Sequence, residues 1–347
     1  MLKITPSAAA LLLAASGSIL ANDHVAEVEQ YGIGNIAEQT QSGVMQRSLI
    51  IQVGIENSVL TAQSGTSSES GQAGVAQVGT MNSAEIYQVN GSRPGMASAD
   101  IYQAGTSNSA TLEQHQYLDE LAATATLHQE GDGNQVDARQ TWVGNDLGVV
   151  SIGQGNVVQV DQSGFSTADI QQNGTANRVR LEQVSSGFGG GFAVVEQNGT
   201  ANQADIRQSS GRYPAADVSL RQVGTANVAQ IETGDGHSTL DYRQQGTGNE
   251  LDAYLAGHNS SLTGFSEGDY NLVVTSQGGD DNNLDIAQVG SENQIEAIQG
   301  MSPNDAWVSQ AGDGNRAYLR QDRFTGDSAS ATIVQNGNGN VASVIQQ

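Results

Sequence analysis

The sequence predicts an all-β solenoid of about fourteen strand-turn-strand repeats, with two parallel, in-register sheets of the cross-β type. Three observations lead there. A Gln-x-Gly-x-x-Asn-x-Ala-x-x-x-Gln unit recurs from one end of the 347 residues to the other. Side-chain character alternates with period two on both sides of its Gly-x-x-Asn centre, which argues for strands. Amide side chains occupy positions that this alternation turns inward, where an unpaired amide would cost several kcal/mol, roughly 2–7. That cost is avoided if identical residues stack and bond to one another, as in cross-β ladders.

The copies align on fourteen glycines: Gly32, Gly54, Gly79, Gly105, Gly131, Gly153, Gly174, Gly199, Gly224, Gly246, Gly268, Gly290, Gly312 and Gly337. Three residues on stands an asparagine in every copy: Asn35, Asn57, Asn82, Asn108, Asn134, Asn156, Asn177, Asn202, Asn227, Asn249, Asn271, Asn293, Asn315 and Asn340. A leading glutamine sits two before the glycine at Gln30, Gln52, Gln77, Gln103, Gln129, Gln172, Gln197, Gln222, Gln244, Gln288, Gln310 and Gln335. Ser151 and Ser266 replace it in the two remaining copies. A closing glutamine lies six after the asparagine, except where Thr233 and Leu255 replace it. Leading to closing position is always eleven residues, and the repeat period is 22 with occasional insertions of three or four. All length variation therefore falls at one corner. The other is fixed.

Taken in order, residues 1–21 read as a secretory signal peptide: Lys3, an apolar run, then small residues to Ala21. The run is too short for a membrane span. Residues 22–347 form the solenoid. In each copy a first strand, such as Ala99-Asp-Ile101-Tyr-Gln103, places Ala, Ile and Gln on one face. Gly-x-x-Asn then makes a tight arc, Gly taking positive φ and Asn tolerating it nearly as well. A second strand follows, with Asn108, Ala110, Leu112 and Gln114 on one face. A looser turn closes the unit. The insertions at 89–95 and 115–126 fall at this elastic corner and are expected to bulge from it. At about 4.8 Å per rung, fourteen rungs would span roughly 65 Å. Repeats start near Val25 and run to Gln346, with no capping helix. An uncapped solenoid edge is a template for another chain.

Composition narrows the function. The net charge is −24 and Lys3 is the only lysine, which argues against nucleic acid or an acidic membrane as partner. Outward charges such as Asp100, Glu113, Arg180 and Glu182 act as gatekeepers against premature pairing. There is no cysteine, hence no disulfide. The histidines His24, His115, His128, His237 and His258 lack metal-site spacing. The sporadic Gly-Asp-Gly-Asn turns do not follow the nine-residue calcium repeat. No nucleophile elbow, phosphate loop or zinc motif is present. We therefore expect no catalytic residue, no metal and no cofactor. The outward threonines Thr175, Thr200 and Thr225 are interrupted in other copies, as by Ile33 and Asp132, which argues against an ice-binding array.

The unit at its 22-residue period resembles the curlin repeat of bacterial curli fibre subunits, over about residues 25–347. The resemblance implies a structural, non-enzymatic subunit of a secreted functional amyloid in the extracellular biofilm matrix. It would support adhesion and cell aggregation. Its implied partners are further copies of itself in a homopolymer fibre, a nucleator subunit and an outer-membrane export pore. No membrane span would remain after signal removal. The resemblance also carries the ladder and turn roles onto the Gln, Asn and Gly positions named above. Fourteen repeats exceed the usual five or so, and the Gly-rich export segment of the major subunit is missing. A basic final repeat is absent too, which favours a major-type subunit over a nucleator. The alternative is a monomeric or cell-surface β-solenoid adhesin.

Overall fold

A computed structural model describes residues 24–65, 71–91, 97–116, 121–186, 189–211, 213–234, 236–301, 303–322 and 328–347. The expected signal segment lies outside the described residues. So do the middle parts of the two insertions expected to bulge, at 92–96 and 117–120. The chain is an all-β solenoid built of the 22-residue repeat, with two parallel sheets. It divides into two compact units, Met1–Asn156 and Val157–Gln347.

In the first unit one sheet takes, in order, the strands Val25–Ile33, Arg47–Ile55, Gln72–Thr80, Ser98–Thr106, Thr124–Asp132 and Asp146–Gln154. The other takes Ile36–Gly43, Ser58–Gly65, Ser83–Asn90, Ser109–His115 and Gln135–Thr141. Successive strands of the chain thus alternate between the sheets, and each repeat is one rung. Pairing is parallel and in register, Gln103 beside Gln129 and Gly105 beside Gly131. The second unit repeats the scheme. Its first strands run from Thr167–Thr175 to Ala329–Asn336, and its second strands from Val157–Ser163 to Val341–Gln346.

Alternation determines what is buried. In Ser98–Thr106, Ala99, Ile101 and Gln103 are buried while Asp100 and Tyr102 face out. In Ser109–His115, Ala110, Leu112 and Gln114 are buried. The interior is therefore a thin seam of Ala, one larger aliphatic residue and an amide from each strand. Slipping one residue would turn the whole apolar set outward, so burial and register specify each other. Outer ion pairs such as Arg221–Glu196 (3.1 Å) and Arg180–Asp205 (3.6 Å) join half-exposed partners. Such pairs contribute little, about 0–1 kcal/mol each.

Candidate functional site

No cleft gathers the singled-out residues. They form columns running through the rungs of each unit. In the first unit the leading glutamines are bonded head to tail. Gln30 Nε2 donates to Gln52 Oε1 (2.6 Å), Gln52 to Gln77 (2.9 Å), Gln77 to Gln103 (2.8 Å) and Gln103 to Gln129 (2.7 Å). The second N–H of each amide is used as well: Gln103 Nε2 donates to Ser83 O (2.9 Å) at the start of a strand in the facing sheet. The closing glutamines repeat this from Gln41 through Gln63, Gln88 and Gln114 to Gln140, at 2.7–2.9 Å. Amides at 0% exposure such as Gln52 and Gln103 therefore keep their hydrogen bonds, which is the condition for burying them.

The asparagine column runs in the opposite sense. Asn108 N and Nδ2 both donate to Asn82 Oδ1 (3.1 Å each), and Asn134 N and Nδ2 do the same to Asn108 Oδ1. Asn108 Nδ2 also donates to Gly131 O (2.8 Å), the corner glycine of the following rung. Asn57 reaches Gly79 O (3.0 Å) and Asn82 reaches Gly105 O (3.1 Å) likewise. This explains why Gly and Asn accompany each other in every copy: one rung's asparagine satisfies the next rung's glycine carbonyl. A Cβ on Gly105 would fall inside contact distance of Gly131 O, and φ there is +119°. Both the backbone angle and the close stacking require glycine.

The expected role of the asparagine in the arc needs correction. None of the fourteen corner asparagines is left-handed; the residue just before it is, as at Met81 (φ 55°), Ser107 (57°), Ala176 (56°) and Tyr270 (56°). Asparagine is required for its amide bonds rather than for its tolerance of positive φ. The left-handed residue is held by stacking: Ser107 N donates to Thr80 O (2.9 Å) one rung away.

The second unit carries the same three columns. Leading amides link Gln172, Gln197, Gln222 and Gln244 (2.8 Å each). Beyond Ser266 they continue from Gln288 to Gln310 (3.1 Å) and Gln335 (2.8 Å). The asparagines continue through Asn202, Asn227, Asn249, Asn271, Asn293 and Asn315 to Asn340. At Ser266 the column is bridged differently. The Tyr242 hydroxyl, in the preceding rung, meets Ser266 Oγ at 2.7 Å, and Ser266 Oγ donates to Gln288 Oε1 (2.8 Å). Tyr242 is buried, and a Cβ on the neighbouring Gly264 would come within 3.1 Å of its ring. Burial pushes the Tyr242 hydroxyl well above the ordinary tyrosine range, so it stays protonated.

A further buried column, which the repeat pattern above does not single out, lies at the elastic corner six residues before the leading position. In the second unit Ser260 N donates to Ser238 Oγ (3.1 Å), Asn282 N to Ser260 Oγ (3.3 Å), and Asn304 N and Nδ2 to Asn282 Oδ1 (3.0 and 2.8 Å). Where repeats follow at 22 residues without insertion, the elastic corner thus builds its own ladder. The 22-residue spacing of Ser238, Ser260, Asn282 and Asn304 was the available signal.

Comparison with known families finds a match in the second unit. The Curlin associated repeat matches residues 279–322. That span holds the leading Gln288 and Gln310, Asn293 and Asn315, and the corner Gly290 and Gly312. The asparagine column through it has the same geometry as in the rungs before it in the second unit. No curated protein matches the chain. The matched family is a structural repeat and indicates no catalytic activity. Among the described residues, no three or more His, Asp or Glu are grouped to hold a metal ion. No helix among them is long and apolar enough to cross a membrane.

Proposed function

We infer that the chain is the structural subunit of a curli-like amyloid fibre, secreted to the extracellular biofilm matrix. There it assembles by edge-strand templating and supports adhesion and cell aggregation. Residues 1–21 serve as the export signal. The partners are further copies, a nucleator subunit and an outer-membrane export pore. The acidic balance, −24 overall, favours a bulk fibre subunit over a basic nucleator.

One observation carries this reading: the first and last described rungs have complementary unmet groups. Gln335 Nε2 and Gln346 Nε2 each make one bond, to Arg316 O and Ser330 O. Interior glutamines such as Gln310 make two, the second to the next rung. At the other end, Gln30 and Gln41 donate onward, and their Oε1 atoms accept nothing among the described residues. The asparagines reverse the roles. Among the described residues Asn340 Oδ1 lacks the donors that Asn315 Oδ1 receives, and Asn35 N lacks the acceptor that Asn57 N finds. Last rung against first matches each of these donors to an acceptor. Two like ends would set acceptor against acceptor or donor against donor. The apolar edge fits the same use, with Val341 78% and Ile33 67% exposed.

The test is seeded assembly. The chain from residue 22, diluted from denaturant at neutral pH, is expected to form thioflavin-positive fibres after a lag that preformed fibres abolish. A β-rich monomer stable at every concentration would overturn the fibre reading and leave a solenoid adhesin.

A further inference from the structure

We propose that a notch on the outer face of the second unit binds an organic cation, an ammonium group carrying methyl or alkyl substituents. This is a binding function separate from assembly. The notch arises where two outward columns of the first-strand sheet change character. One column reads Asp241, Thr263, Asp285, Trp307 and its neighbour reads Arg243, Phe265, Ala287, Ser309. Ala287 is small and stands between larger neighbours. The result is a surface cavity of about 370 Å³ lined by Thr263, Gly264, Phe265, Asp285, Ala287 and Trp307.

Its walls and rim point to a positive ligand. Phe265 and Trp307 lie two rungs apart, about 10 Å at the usual strand spacing, with Ala287 on the rung between. Ring faces attract cations through their quadrupole. Phe265 already does so within the protein: the Arg243 guanidinium lies 5.6 Å from its centroid. Arg243 also reaches Glu267 (3.6 Å). On the other side of Phe265 in the same column stands Ala287, which has no charge to offer. Trp307 is 49% exposed and accessible to solute.

The rim supplies a carboxylate. Asp285 accepts a hydrogen bond from Thr263 Oγ1 and makes no ion pair among the described residues. The protein's net charge of −24 raises the local concentration of cations and disfavours anions. A bare metal ion does not fit, because two aromatic rings and one carboxylate cannot supply the six to eight oxygens that calcium takes. A substituted ammonium does: its methyl groups pack on the rings while its charge faces Asp285. The free solute and a lipid headgroup share this chemistry.

The test follows Trp307 emission in the chain carrying Trp142→Phe, which leaves a single tryptophan. The probes are choline and its neutral isostere 3,3-dimethylbutan-1-ol. Choline is expected to give a saturable change, and the neutral alcohol at least tenfold weaker binding. Asp285→Asn is expected to weaken choline at least fivefold. Ala287→Arg, an outward position given its own cation, is expected to abolish the response. Vesicles of phosphatidylcholine form a separate arm: a response to free choline alone assigns a small solute, and a response to vesicles as well assigns a headgroup. Equal responses to choline and the alcohol, no saturable response to either choline or vesicles, or unchanged binding in Asp285→Asn would each overturn the proposal. Seeded assembly of the same variants is read separately, so a failure of cation binding is distinguishable from a failure to form fibres.

Discussion

The leading column of the first unit and that of the second meet the same demand in different ways. From Gln30 to Gln129 one glutamine follows another, each amide bonded to the next. Between Gln244 and Gln288 the second unit has Ser266, and three changes accompany it. Tyr242 stands where other rungs have Ile, Leu or Val, its hydroxyl meets Ser266, and Gly264 leaves room for its ring. The difference teaches that a Tyr–Ser pair can stand in for glutamine at Ser266, whereas at Ser151, the first unit's own break in this column, the Oγ is buried without a partner. The closing column shows the uncompensated case. Thr233 and Leu255 interrupt it, and both Thr233 Oγ1 and Gln277 Oε1 are buried without a partner.

The strongest way to break the comparison is to interrupt the intact column without compensation. Gln103→Leu would leave one Gln77 N–H without an acceptor and Gln129 Oε1 without a donor. Each orphan costs about 1–3 kcal/mol, so a loss of about 3 kcal/mol is expected. Urea unfolding of the monomeric chain would measure it. A loss below about 1 kcal/mol would mean that the ladder contributes little.

A smaller effect should follow from removing only the bridging hydroxyl. Tyr242→Phe keeps the ring packed and deletes the bond to Ser266, for an expected loss of about 1 kcal/mol. Protection of the backbone amides near Ser266 against hydrogen exchange should fall with it. Unchanged protection would show that Ser266 is satisfied without the phenol.

Repairing the closing column should act in the opposite direction. Leu255→Gln places an amide beside Gln277, whose Oε1 is unpaired. The expected gain is about 1 kcal/mol, read as a higher urea midpoint. A lower midpoint would show that the lost apolar burial outweighs the new bond.

The least effect is expected at the surface, where His258 N and Nδ1 both approach Asp280 Oδ1 (3.1 and 3.0 Å). These hydrogen bonds hold the Asp280 carboxyl below its ordinary range. A depressed carboxylate contributes stability above its unfolded value, near 4, and loses it as pH falls through the folded value. Both side chains are about half exposed, so the contribution is small. In His258→Ala the Asp280 titration followed by NMR should move up towards the ordinary range. An unmoved midpoint would show that the ring does not cause the shift.

Much of this was legible in the sequence, for a physical reason. Period two and an eleven-residue spacing between leading and closing positions repeat in every rung, so the strands, the corner and the inward faces could be read from any copy. What was not legible depends on the neighbouring rung. The asparagine's bond to the next glycine carbonyl joins Asn108 to Gly131, 23 residues apart. The left-handed positions fall on Met81 and Tyr270, residue types that give no local sign of that conformation. Tyr242 looks like an ordinary core substitution until Gly264 and Ser266 are seen beside it. The outer notch needs three rungs in register before it exists.

The most direct measurement concerns the last rung. A Cβ on Gly312 would strike Gly337 O, whereas one on Gly337 meets only Asn340 Nδ2 at 3.7 Å. If copies stack last rung to first, that free space is filled by the next copy's corner. Gly337→Ala should therefore leave the monomer folded, with a local strain of about 1–3 kcal/mol. It should stop elongation when added to wild-type seeds. Gly339→Ala, with no atom near its added Cβ, is the control in the same rung and should elongate. Elongation of Gly337→Ala at the wild-type rate would contradict end-to-end stacking of the solenoid.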